Sequence, residues 1–221
     1  MSIFDWFKRL DPEVKGLQEV TRKFEQMLED GRHVFDAAAN GLLGGTDPEV
    51  IRGDLFETDA RINRTEQEIR RQLVVHGSVH GSMNLTELLV TMSLVKDAER
   101  IGDYAKNLFD LVVVQARLLD EEERQRLIVL KDKISKLLVR VRNLYEEQDE
   151  GAARRFLEDA DALEDECDAA VHRLLAVEGR NAAGSVLTYR YFKRVTSHAG
   201  NIATSLVMPV DKLDFFDEPK V

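Results

Sequence analysis

Residues 97–108 read DAERIGDYAKNL. Most of this stretch favours helix, yet Gly102 sits inside it, and Glu99 and Asp103 stand one turn apart. A glycine in a helix interior costs about 1 kcal/mol against alanine, and like charges at this spacing cost a few tenths more. With Ile101 at the centre of an apolar stripe, Val90, Leu94, Ala98, Ala105, Leu108 and Val112 fall beside it at helical spacing. Glu99 and Asp103 then lie on the opposite side, about 40° apart, together with Lys96, Lys106 and Asp110. The segment reads as an amphipathic helix with an acid pair on its outer face. Such a face suits ion pairing with Lys96 and Lys106, worth a few tenths of a kcal/mol each. It also suits hard-oxygen ligation of a metal ion. Gly102 admits close approach of a neighbouring helix.

Five more helices surround this one, each marked by start or stop residues. Asp11-Pro12 opens the first and NGLLGG (40–45) ends it; apolar residues recur at Val14, Leu17, Val20, Phe24, Met27, Leu28 and Val34. Asp47-Pro48 opens the second, and the loop HGSVHGS (76–82) is expected to end it. The third starts at Asn84, with Glu87 completing a capping-box pattern, and ends near Leu119. Asp120 with Glu123 repeats the pattern for the fourth, which runs to about Glu147. The fifth covers roughly 151–178 and stops at EGRN; the sixth covers 183–207 and stops before Pro209. Long helices with short connectors pack antiparallel, and no strand pattern competes.

The chain also repeats itself. ERIGDYAKNLFDLVV (99–113) aligns with KRVTSHAGNIATSLV (193–207), an offset of 194 − 100 = 94 residues. LFETDARINRTEQEI (55–69) aligns more loosely with LEDADALEDECDAAV (157–171), at 157 − 55 = 102. The expected fold is all-α: two tandem antiparallel three-helix bundles over 1–119 and 120–208, with a tail at 209–221. The second copy is shorter by 102 − 94 = 8 residues, which fits loss of HGSVHGS.

Composition narrows the function. With 43% apolar residues a core can form, and with 13 glycines and 4 prolines there are few turns for a many-stranded sheet. The net charge of −10 argues against broad nucleic-acid binding, which needs a basic surface. A single cysteine, Cys167, excludes an intramolecular disulfide, suits a reducing cytosol and reads as a small packing residue. No run of 18 apolar residues is present, and Asp5, Lys8 and Arg9 break up any signal peptide in MSIFDWFKRL.

Glu99-Arg100-Ile101-Gly102-Asp103 resembles the E/D-x-x-x-D signature of the PhoU family, carried once in each of two tandem three-helix bundles. The resemblance implies a cytoplasmic, dimeric regulator that restrains phosphate uptake. Its implied partners are a phosphate ABC transporter ATPase and a phosphate sensor kinase. It also implies a surface metal ion, iron, manganese, magnesium or zinc, held by Glu99 and Asp103 with Asp59 as a further ligand. The second copy departs from the pattern. Lys193 and Ser197 stand at the acid positions and Thr196 at the glycine, so a metal is expected at the first motif only. Acids of the fifth helix (Asp161, Glu164, Asp165, Asp168) are expected to pair with Lys193 and Arg194. Two rival readings are an accessory protein of a low-affinity phosphate permease and a metal-dependent phosphohydrolase.

Other residues carry less. His76 and His80 have ligand spacing only if helical, and Gly77 and Gly81 make the stretch read as loop. His172 reads as an exposed helix partner of Asp168, and His198 as a packing or surface residue. GLLGG joins two helices, so it is no nucleotide fingerprint, and no nucleophile–base set is evident. Ile3, Trp6, Phe7 and Leu10 share one side, expected to pack onto the bundle or a second subunit, or at most to touch a membrane peripherally. The tail PVDKLDFFDEPKV reads as non-helical, with Phe215-Phe216 left to fold back or dock.

Overall fold

In the computed structural model, residues 15–80, 85–147, 149–178 and 181–214 are described. They form six helices: α1 (Lys15–Gly44), α2 (Pro48–His80), α3 (Leu85–Val113), α4 (Glu121–Glu147), α5 (Glu150–Leu175) and α6 (Ala183–Val207). No strand occurs among the described residues. Asp11-Pro12, Asn84, MSIFDWFKRL and Phe215-Phe216 lie outside them. The helix ends follow local chemistry. Gly45, at φ +70°, ends α1 and returns its N–H to Gly41 O at 3.0 Å. Asp47 accepts from the Glu49 N–H at 2.9 Å, Asp120 from the Glu123 N–H at 2.9 Å, and Asp149 from Gly151 and Ala152.

Three boundaries differ from the sequence reading. The second helix does not end at His76 but continues through HGSVH (76–80) to His80. Gly77 packs against α3, where an added Cβ would stand 3.2 Å from Leu88 Cδ1, and this contact stabilises a helix that propensity alone would end. The shorter second copy is therefore a shorter helix, 26 residues in α5 against 33 in α2. The third helix ends at Val113, not Leu119, with Gln115 at φ +51° in the connector. The tail contains a single 3-10 turn, Val210–Lys212, nucleated by Pro209 at φ −66°.

Helices α1, α2 and α3 pack together, as do α4, α5 and α6. The two sets join through α3 against α6 and α1 against α4. Phe35 of α1 meets Phe192 of α6 edge to face at 5.4 Å, and both rings are fully buried. Each contributes about 1.5–3 kcal/mol of burial. The repeat is visible in the packing: Ile101, Ala105 and Leu108 are buried like their counterparts Val195, Ala199 and Ile202.

Because α3 is covered by α1, α2 and α6, its buried surface exceeds one stripe. Asp97, Glu99 and Gly102 are all buried on it. The expected outward position of Glu99 is thus corrected: the residue is 8% exposed, in the seam between α2 and α3. Gly102 does serve close approach, since a Cβ there would stand 3.1 Å from Ile62 Cδ1 on α2.

Candidate functional site

The α2–α3 seam collects Asp59 and Glu66 from α2 and Glu99 and Asp103 from α3. Lys96 Nζ donates to Glu99 Oε2 at 2.6 Å and lies 4.0 Å from Glu66 Oε1. Arg70 Nη2 stands 3.0 Å from the same Glu66 oxygen. Lys106 Nζ bridges Asp59 Oδ2 at 3.1 Å and Asp103 Oδ1 at 3.5 Å. Arg100 Nη1 donates to Asp103 Oδ2 at 3.3 Å. Burial pushes the Glu99 carboxyl above its ordinary range; the Lys96 hydrogen bond opposes this, and the charges of Asp103 and Glu66 add to it. Burial works against the Lys106 ammonium, but its hydrogen bond to Asp59 and the nearby Asp103 hold its pKa up. The three residues singled out in the sequence, Asp59, Glu99 and Asp103, therefore share one strip. Asp59 is 8% exposed and the Asp103 side chain 28%.

The equivalent place in the second repeat is wired differently. Lys193 donates to Asp168 and lies 3.9 Å from Glu164. The offsets make the parallel explicit: 99 + 94 = 193 and 66 + 102 = 168. Where the first repeat interposes Lys96 between two acids, the second changes one acid to lysine and pairs directly. Arg194 departs from expectation. It donates to the Tyr104 hydroxyl at 3.1 Å and lies over the Tyr104 ring, so it ties α6 to α3. His172 is exposed as expected. His198, expected to pack or lie at the surface, is buried; its Nδ1 is 2.8 Å from Asp97 Oδ1, which also accepts from Asn201 Nδ2 at 3.0 Å. Sequence reading missed this pair, and the one signal for it was a charged residue, Asp97, at the edge of an apolar stripe. Cys167 is fully buried as a packing residue, and burial pushes its thiol up to about 12.

The signature helix, its glycine contact and the mirrored second copy now stand together with the six-helix topology. Residues 24–112 match the PhoU domain. The match covers most of α1 through α3 and therefore the intact motif, while Lys193 and Ser197 lie beyond it. The fold is also that of solved PhoU structures. PhoU from Pseudomonas aeruginosa superposes with a TM-score of 0.76 at 18% identity, over 87% of this chain and 95% of that one. The phosphate transport system regulatory protein PhoU from Streptococcus pneumoniae gives 0.70 at 17% identity over the same shares. No curated protein matches the chain at a significant level.

Within residues 24–112, the donor set does not fit a resident metal ion as it stands. Each of Asp59, Glu99 and Asp103 already holds an ammonium or guanidinium. Four acids (Asp59, Glu66, Glu99, Asp103) face four cations (Arg70, Lys96, Arg100, Lys106), so the strip is neutral without an added ion. Lys106 already neutralises Asp59 and Asp103 together. Among the described residues, no group of three or more His, Cys, Asp and Glu side chains is arranged to hold a metal. His76 lies on a helix after all, so the loop reading of that stretch does not stand.

Proposed function

We propose that this protein regulates phosphate uptake and phosphate signalling by binding other proteins, without catalysis of its own. The observation that carries the reading is the PhoU domain at 24–112 within a six-helix fold shared, over nearly its full length, with two PhoU proteins. Its partners are a phosphate ABC transporter ATPase or a phosphate permease, and a phosphate sensor kinase; the protein works in the cytoplasm as a homodimer. Docking uses the α2–α3 seam. Its ion pairs are partly exposed at Arg100 and Lys106, so a partner can reach them and exchange them for pairs of its own. No described helix is long and apolar enough to cross a membrane, which is consistent with action on a transporter from outside the bilayer.

Tagged protein recovered from phosphate-replete cells should carry a transporter, permease or kinase component, and Asp103→Asn should carry less. Recovery of none with either form would remove the proposal. Transporter against permease is decided by which component is recovered.

The metal reading has one observation in its favour: two carboxylates from two helices, Asp59 and Asp103, do converge on a shared cation, Lys106. In this reading a divalent ion competes with the ammonium. Manganese, iron or zinc titrated into the wild type by calorimetry should bind weakly, and Lys106→Ala should bind more tightly. Tight binding by the wild type that Lys106→Ala leaves unchanged would show that the ion sits elsewhere. The phosphohydrolase reading lacks support of this kind, because the same carboxylates are held by ammonium and guanidinium groups.

A further inference from the structure

The ion-paired strip between α2 and α3 is layered. Its pairs form an unbroken chain. Arg70 stands 3.0 Å from Glu66, Lys96 lies between Glu66 and Glu99, and Arg100 reaches Glu99 at 3.9 Å and Asp103 at 3.3 Å. The carboxylates lie beneath and the cations on top. The side chains of Glu66 and Glu99 are 10% and 11% exposed, whereas those of Arg70, Lys96 and Arg100 are 40%, 40% and 45% exposed. The most exposed acid, Asp103 at 28%, sits at the far end between Arg100 and Lys106. Counted as charges the strip is neutral, but solvent meets its cations. Burial also opposes ionisation of Glu99, which leaves less negative charge under them.

The outer face of α2 adds two more cations. Arg64, Arg70 and Arg71 lie within about 60° of Gln67 on the helix. Arg70 belongs to both the face and the strip, so the two are continuous. Arg64 and Arg71 are exposed, and neither forms an ion pair with another described residue. The acid beside Arg71, Glu68, turns toward α1 and holds Lys23 at 2.9 Å. Arg64, Arg70, Arg71, Lys96 and Arg100 therefore share one surface of a chain whose net charge is −10. The second repeat does not copy it. The offsets 63 + 102 = 165 and 64 + 102 = 166 place Asp165 and Glu166 where α2 has Asn63 and Arg64.

We propose that this cationic face binds an acidic surface of a partner protein, with Glu66 and Glu99 holding the cations in place from below. This rests on the regulatory reading, in which the α2–α3 seam docks a partner, and it assigns the partner's chemistry. Lys96 and Arg100 stand one turn apart, the spacing at which a helix presents two carboxylates. Each guanidinium can take a carboxylate through two hydrogen bonds. The acidic remainder of the chain repels such a partner, so the field itself selects the side that is approached.

A fluorescent helical peptide with glutamates one turn apart should bind the full-length protein at low salt. Binding should weaken steeply between about 50 and 300 mM salt as charges become screened. Arg64→Glu/Arg71→Glu should weaken it about tenfold, each exposed pair accounting for a few-fold. Both residues are exposed, so the bundle should survive, and the α-helical circular dichroism of the variant checks this. No binding at low salt, or equal binding by the variant, would overturn the proposal. Displacement of the peptide by inorganic phosphate but not by chloride at equal ionic strength would overturn it in favour of a free oxyanion. Sedimentation with anionic phospholipid vesicles, lost in the same variant, would overturn it in favour of a bilayer. Tagged wild type and variant that recover a transporter, permease or kinase component equally well would overturn it while the regulatory reading stands. Recovery of none by the wild type would remove that reading and the proposal with it.

Discussion

Glu123→Gln isolates an interaction that holds the second helical set together. Glu123 is 2% exposed. Its carboxylate accepts from Arg173 Nη1 and Nη2 at 2.8 and 3.0 Å and from the Tyr189 hydroxyl at 2.6 Å, which ties α4 to α5 and α6 at once. Burial alone would raise its pKa, but the Arg173 and Tyr189 hydrogen bonds outweigh burial and hold it below the ordinary range. The glutamine can still accept from Tyr189, but its amide N–H then faces a guanidinium N–H. One charge-assisted hydrogen bond is lost, worth about 1.5–3 kcal/mol. Arg173 is partly exposed and recovers water, so the expected loss is about 2 kcal/mol at pH 7. For a chain of this size that lowers Tm by about 4–8 °C. The pH dependence has a definite sign. A depressed folded pKa contributes stability above the ordinary carboxylate range, and that contribution fades as pH falls through the folded pKa. Thermal melts at pH 7 and at about pH 3 should therefore show a gap between wild type and variant that narrows in acid. A double-mutant cycle with Arg173→Ala should return a coupling well above 0.5 kcal/mol, the level expected for a surface pair. A loss at pH 7 below about 0.5 kcal/mol, or a gap unchanged between the two pH values, would refute the assignment.

Three further outcomes follow from the packing. Glu99→Gln should stabilise the protein at pH 7 by on the order of 0.5 kcal/mol, net of the Lys96 pair. Its raised folded pKa makes ionisation a cost that grows as pH rises through the carboxylate range, so the gain should vanish in acid melts. Gly102→Ala should stay within about 1 kcal/mol of wild type, the helix-propensity gain offsetting the 3.1 Å approach to the flexible end of Ile62, and it should become stabilising in an Ile62→Val background. Cys167, with its thiol pushed up to about 12, should resist a thiol reagent at pH 8 in the native state and react once denaturant opens the bundle; prompt native-state labelling would contradict its burial.

The readings that succeeded rest on interactions local in sequence. Asp47, Asp120 and Gly45 mark helix ends because capping acts over one turn. The 94-residue offset placed Val195, Ala199 and Ile202 in the core because each repeats the periodicity of the first copy. Lys96 was expected to pair with Glu99 because three residues on a helix bring side chains together. Glu123 shows where the local rule stops. It has capping-box spacing, and its N–H does bond Asp120, but its carboxylate turns to Arg173 and Tyr189, 50 and 66 residues away. Asp97 and His198 are 101 residues apart, and nothing at either position names the other.

The order of polar and apolar residues, with their caps and their repetition, determined by itself that six helices form, where most of them end and that an acid motif lies on the third. Those features depend on contacts within a turn or two of backbone. How many sides of α3 are covered was decided only by tertiary packing, and with it the burial of Glu99, the helical course of residues 76–80 and the supply of cations to the acid strip. Such outcomes depend on which distant helices meet, and a helical period defines a face without saying what will lie against it.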